Sequence, residues 1–243
     1  MINTGKISEN LLSDEQIKKE VSLILNRMNK EINEIENKYQ RNVVDPFSAL
    51  FEQIVFSRNI SEWKASEISR QLQKTFGNLL GLFHQNLMCA LDSCKEPTDG
   101  GVDLICDDKK IVAEIKNKWN STNADSIAGS YDKLNKILSK KKYSNYTGYF
   151  VTIIPKTPKK YCSVLITTKN KKKSQFRKPK KNILEINGEF FYEKITGKKD
   201  ILKSIFNRLP GIFKSIDKEK SNLIDEISKD KKFNYYLERA LKD

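Results

Sequence analysis

At Pro97 the hydrophobic period of this chain changes, and that change limits the folds open to it. Upstream, apolar residues recur at steps of three and four; downstream they come in short or alternating runs. A period near 3.6 marks a helix with one buried stripe, and a period of two marks a strand. A helical region followed by strand, strand, helix, strand, strand implies an α/β class, a mixed β-sheet core flanked by helices. The chain has 243 residues, enough to bury a proper core. We divide it into a helical N-terminal region, 1–95, and an α/β core with C-terminal helices, 96–243, expected to form one compact unit.

Local signals sharpen the upstream half. Ser13 and Gln16 make a capping box, with Asp14 and Glu15 in the first turn. Ile17, Val21, Ile24, Met28, Ile32, Ile35 and Tyr39 then form one stripe. Asp45-Pro46 is a helix start, and the run FSALFEQIVF behind it is apolar on nearly every side. That run is expected to be buried, with Glu52 its one acid. Two more helices are expected over 61–75 and 78–91, parted near Gly77.

Downstream, VDLIC, IVAEIK, YTGYFVTII and YCSVLIT have strand character. DSIAGSYDKLNKIL between the second and third has helical spacing at Ile127, Tyr131, Leu134 and Leu138. ILEI and EFFYEKI, joined by Asn187-Gly188, predict a hairpin. Helical segments near 199–217 and 221–241 close the chain.

Lys and Arg exceed Asp and Glu by 14, which favours a polyanionic partner. A lysine-rich composition alone accounts for part of that surplus, so its distribution matters more. From Pro155 to Lys181 there are eleven Lys or Arg and no acid, with Lys171, Lys172, Lys173, Arg177 and Lys178 in its most polar part. Four scattered cysteines and the single histidine His84 make a poor zinc set. Reduced thiols, a soluble chain without membrane spans and a cytoplasmic location are the expectations.

The segment from Val102 to Lys118 is the most informative. Asp107-Asp108-Lys109-Lys110 reads as a turn centred between Asp108 and Lys109. That register sets Asp103 opposite Glu114, Leu104 opposite Ala113 and Ile105 opposite Val112. Glu114 and Lys116 then share a face, with Asp103 beside Glu114. Facing Cβ atoms lie about 4.5–5.5 Å apart, a distance at which two carboxylates repel. A magnesium ion held by both would remove the penalty, polarise a phosphate and lower the pKa of a bound water. Lys116 is placed to stabilise charge on the phosphorus centre. The opposite face, with Leu104, Ile111, Ala113 and Ile115, is apolar and suits a core. Gly100 and Gly101 leave room beside Asp103 for a phosphate backbone. Glu-x-Lys alone carries little, because Glu36-Asn37-Lys38 and Glu62-Trp63-Lys64 repeat it on expected helices.

In Pro97-Thr98-Asp99-Gly100-Gly101-Val102-Asp103 followed by Glu114-Ile115-Lys116, the chain resembles the PD-(D/E)xK nuclease superfamily. The run Ala113 to Asn123 is similar to type II restriction endonucleases that cut GGNCC- or GGWCC-type sites, departing from them at Trp119 and Ser121. The run Phe190 to Gly197 also looks like their endings, and the resemblance spans about 95–200. It implies a restriction-endonuclease-like fold, with Asp103, Glu114 and Lys116 catalytic and Mg²⁺ at Asp103 and Glu114. Glu52 or Asp99 would be the auxiliary acid. Double-stranded DNA is the implied partner, cut at a short GC-rich palindrome by a homodimer of a restriction-modification system. The cognate methyltransferase belongs to that system without being a bound partner. Asn117, Lys118, Asn120, Thr122 and Asn123 are candidates for DNA contact, and Arg177, Arg58 and Arg41 for reading guanine. Two readings stay open beside it: a repair or junction-resolving nuclease of the same superfamily, and a non-catalytic basic nucleic-acid-binding protein.

Overall fold

The computed structural model describes residues 11–41, 43–91, 93–98, 101–157, 159–167 and 177–241. Helices α1 (Asp14–Arg41), α2 (Pro46–Phe56) and α3 (Ile60–Cys89) come first. Strands β1 (Cys94–Lys95), β2 (Leu104–Cys106) and β3 (Ile111–Lys118) follow, then α4 (Ala124–Leu138) and β4 (Thr147–Ile154). The chain continues through β5 (Cys162–Val164), β6 (Ile183–Asn187), α5 (Gly188–Thr196), α6 (Ile201–Ile216), α7 (Ser221–Lys229) and α8 (Lys231–Leu241). The mixed α/β class and the helical N-terminal region are as expected.

The six strands form one sheet in the order β1-β2-β3-β4-β6-β5. β3, β4 and β6 run parallel, and the outer pairs are antiparallel. Each face has its own core. Leu104, Ile111, Ala113 and Ile115 pack with Ile17, Leu87, Phe191 and Ile205 from α1, α3, α5 and α6. On the other face Ile105, Val112 and Phe150 pack with Tyr131 and Leu134 of α4. Helix, sheet and helix therefore form three layers around β3 and β4.

The capping box at α1 is present, with Ser13 N–H donating to Gln16 Oε1 at 2.7 Å and Gln16 N–H to Ser13 Oγ at 3.1 Å. Asp45 caps α2 by accepting from the Phe47 and Ser48 N–H groups. Other expectations need correction. The two helices expected over 61–75 and 78–91 are a single helix, α3, which runs through Gly77 without a break and ends at Cys89. One glycine weakens a helix by about 1 kcal/mol, less than the packing of α3 on α1 and β3 provides. Residues 221–241 divide into two helices at Asp230.

Asn187-Gly188 is no hairpin. Asn187 ends β6 and caps α5, its side chain accepting from Phe190 N–H at 3.3 Å. Both edges of β6 are already occupied, by β4 and β5, so no returning strand can pair there. A Cβ on Gly188 would lie 2.6 Å from the Ile153 Cα, so only glycine lets the chain turn so close to β4.

The expectation of reduced thiols is also overturned. Cys94 and Cys106 form a disulfide; Cys89 and Cys162 are free. β1 is only two residues long, too short to show in the sequence, and its register sets Cys94 directly across from Cys106. The expected burial of α2 fails as well, since none of its residues is buried. Among the described residues no helix is long and apolar enough to cross a membrane.

Candidate active site

The β2–β3 register is the predicted one: Leu104 faces Ala113, and Ile105 faces Val112. Asp103 N–H donates to Ala113 O at 2.9 Å, and the Asp103 carboxylate accepts from Ile115 N–H at 2.7 Å. These two bonds extend the pairing one residue past the strand and hold Asp103 beside Glu114. Gly101 enters this corner at φ 101°, in a region that residues with a Cβ rarely adopt.

Glu114 has no exposed surface. The hairpin therefore does not leave one face open for chemistry, as the alternation implied. Both faces are buried, because α4 lies across Ile105 and Val112 and covers Glu114 too. Lys133 Nζ, from α4, donates to both Glu114 oxygens at 3.1 and 3.2 Å. The Ser130 hydroxyl lies 3.5 Å from Oε2, and Lys116 Nζ lies 3.8 Å from it. Burial, and next the charge of Asp103, push the Glu114 carboxyl above its usual range, while Lys133 and Lys116 oppose them. Two hard carboxylates facing each other, one with only ammonium and hydroxyl partners, fit a hard divalent cation.

A cleft of about 720 Å³ opens beyond the hairpin, between α3 and the first turn of α4. Asp103, Lys116, Asn117, Lys118 and Asn120 form one wall. Glu114 lies two residues before Lys116 on β3, just behind that wall. The opposite wall is a polar stripe of α3, with Gln73, Lys74, Asn78 and Gln85 alternating with Gly77 and Gly81. Gln85 Nε2 donates to the Asp103 carbonyl at 3.1 Å and ties the two walls together. Lys74, Lys116 and Lys118 against the single acid Asp103 give the cleft a cationic lining suited to phosphates.

Other candidates lie elsewhere. Thr122 donates its hydroxyl to Trp119 O at 2.9 Å, and Asn123 caps α4 by accepting from Ser126 N–H at 2.8 Å. Arg177 makes two bonds of 2.7 Å to Asp132, which raise its pKa further. Lys178 is exposed, and its carbonyl accepts from the Tyr131 hydroxyl. Arg58 reaches Ser66, and Arg41 is exposed at the end of α1. Lys171, Lys172, Lys173, Asp99 and Gly100 lie outside the described residues.

Glu52 does not join Asp103 and Glu114. It is bound to Arg70 at 2.7 Å and to Ser48 at 3.0 Å. Arg70 and Gln85, which touches Asp103, are fifteen residues apart on α3, about 22 Å along the axis. Among the described residues no three His, Cys, Asp or Glu side chains gather to hold a metal.

Sequence reasoning missed Lys133 and the α3 stripe. Lys133 flanks the apolar stripe of α4, and nothing local says that α4 crosses β3. The α3 stripe had a signal, polar or small residues at 74, 78, 81 and 85, but breaking the helix at Gly77 hid it.

Comparison with known proteins now adds to this geometry. Residues 10–218 match the family model described as Eco47II restriction endonuclease. The chain is 37% identical over 202 residues to the type II restriction enzyme Eco47II of Escherichia coli, covering 82% of this chain and 84% of that protein. It is 26% identical over 205 residues to the type II restriction enzyme Sau96I of Staphylococcus aureus, covering 82% and 77%. No solved structure matches it significantly. A chain matched over most of its length, with a carboxylate pair and a lysine on one hairpin beside a cationic cleft, belongs to the Eco47II restriction endonuclease family.

Proposed function

We propose that this restriction endonuclease hydrolyses double-stranded DNA with Asp103, Glu114 and Lys116, at a GGNCC/GGWCC-type palindrome and with Mg²⁺. The observation that carries the residue assignment is the pairing that sets half-buried Asp103 beside fully buried Glu114, with Lys116 one step along the same face toward the cleft. Asp103 and Glu114 are the residues that would hold the ion. When bound, a magnesium ion supplies Lewis acidity at the phosphate and a more acidic water.

The remaining work falls to the chain. Lys116 directs a positive charge at the place where the phosphorane forms. Lys133 favours the ionised form of Glu114, against the burial that favours its neutral form. The Ile115 N–H fixes the Asp103 carboxylate, and Gln85 fixes its backbone. Lys74 and Lys118 neutralise backbone phosphates, while Asn78, Asn117 and Asn120 supply amides for base edges. The basic run containing Lys171, Lys172, Lys173, Arg177 and Lys178 adds sequence-independent affinity. A palindrome cut on both strands calls for two copies of the chain, and a companion methyltransferase would protect the host's own sites.

Incubation with plasmid DNA and Mg²⁺ tests this reading. Discrete fragments whose ends map to one GC-rich palindrome are expected, and none when EDTA replaces the metal. Structure-dependent nicks in place of fragments would favour a repair or junction-resolving nuclease. Binding without any cleavage would leave only a basic nucleic-acid-binding protein.

A further inference from the structure

α2 is folded inside out. Phe47, Leu50, Phe51, Ile54 and Val55 have the spacing of the stripe that a helix ordinarily turns to its core, yet they are 58–73% exposed. The half-buried face is the polar one, with Ser48, Glu52 and Gln53, and Glu52 is bonded there to Arg70 of α3. Val43, Phe56 and Ile60 extend the exposed apolar surface beyond the stripe. Leaving such side chains in water forgoes the stabilisation that burial gives them, so the fold leaves this surface to be covered.

Area, charge and chain content identify the occupant. At these exposures the surface amounts to roughly 800 Å², what one partner contributes to a standard protein interface. Residues 43–60 contain a single cation, Arg58, stacked over the Phe56 ring, in a chain of net charge +14, so the surface suits neither a polyanion nor an acidic protein. Their two acids are engaged within the chain, Asp45 in the α2 cap and Glu52 with Arg70. An uncharged apolar stripe is complementary to itself, and it is where two strongly cationic copies approach with least repulsion. The stretches of sequence outside the described residues hold only four large apolar side chains, Met1, Ile2, Ile7 and Phe176, too few to cover it.

We infer that the outward stripe of α2 is the surface on which two copies of this chain associate, α2 against α2 about a two-fold axis. The choice of a second copy rests in part on the proposed cleavage of a two-fold symmetric site. The inverted helix stands without it.

Sedimentation equilibrium over a range of protein concentrations tests the inference on the whole chain without DNA. The wild type is expected at twice its 28.1 kDa. Leu50→Glu with Ile54→Glu is expected at 28.1 kDa, with the dissociation constant raised at least about 100-fold. Both positions face solvent in the single chain, so an unchanged circular dichroism spectrum is the check on folding. Hydrogen exchange needs no variant: amides of 46–56 should gain protection in the wild type as concentration rises.

A wild type at 28.1 kDa throughout, with exchange in 46–56 independent of concentration, overturns the inference and assigns the stripe to some other molecule. A double variant that folds and stays dimeric overturns it too. Cleavage is read separately. Dimerisation through α2 without DNA cleavage supports the surface and sinks the nuclease reading, whereas site-specific cleavage by a persistent monomer does the reverse.

Discussion

The β2–β3 hairpin and α2 are both apolar segments built around one glutamate, and the chain turns them in opposite directions. The hairpin buries both faces and encloses Glu114, whose carboxyl is pushed up by desolvation although Lys133 holds it. α2 turns its apolar face outward and leaves Glu52 to Arg70, whose hydrogen bond lowers the Glu52 pKa. The same side chain has its pKa raised where burial outweighs its cation, and lowered where the cation outweighs burial. An apolar run is therefore not evidence of a core in its own chain. The hairpin finds its cover in α3 and α4, and α2 does not.

The sharpest way to break this comparison is to remove one charge from each glutamate. Glu114→Gln keeps the buried volume and should lower cleavage by at least about 10³-fold with an unchanged circular dichroism spectrum. Glu52→Gln should leave single-turnover cleavage within about twofold. Equal losses from both would return Glu52 to the site.

Packing should separate the regions next. Leu104→Ala removes a fully buried side chain and should lower unfolding free energy by about 2–5 kcal/mol in urea titrations. Phe47→Ser, measured where the chain is monomeric, should change it by no more than about 0.5 kcal/mol.

α3 touches both regions, and its half-buried His84, beside Tyr192, tests how firmly it is seated. Desolvation pushes the imidazole down to about 4 from 6.5, so the folded state keeps it neutral. A depressed pKa of this kind contributes stability that is complete above pH 6.5 and is lost as pH falls through the folded value. About 3 kcal/mol should disappear across that window, and His84→Gln should flatten the slope.

The smallest effect concerns the cation of the pair. The Glu114 pKa is raised, so activity that needs its carboxylate should fall at a higher pH than for an ordinary glutamate. Lys133→Met removes an interaction that lowers this pKa. The acid limb of the pH–rate profile should move further up, with about a tenfold loss at neutral pH. An unmoved limb would mean that Lys133 does not lower the Glu114 pKa.

Much of the fold was legible wherever a signal is local. The Ser13 box, the Asp45-Pro46 start and the DDKK turn each depend on neighbours a few residues away, and the hairpin register follows from the turn alone. Asn187-Gly188 misled because the same pair serves a two-residue turn and a helix cap, and the choice lay with β4 and β5 on either side of β6. Gly77 misled because a propensity of about 1 kcal/mol gives way to packing. Cys94 and Cys106 pair through a strand of two residues, too short to have a period.

The sequence by itself determined that this chain is a mixed α/β fold, that Asp103, Glu114 and Lys116 lie together on one hairpin, and that its family is one of restriction endonucleases. These depend on alternation, turn chemistry and a motif, all short-range. Tertiary structure alone decided that Lys133 reaches Glu114, that α3 and β3 enclose a cleft, that Glu52 stands apart and that α2 faces outward. Each of those is a long-range choice of which face meets which, and a pattern along the chain names a face without naming its partner.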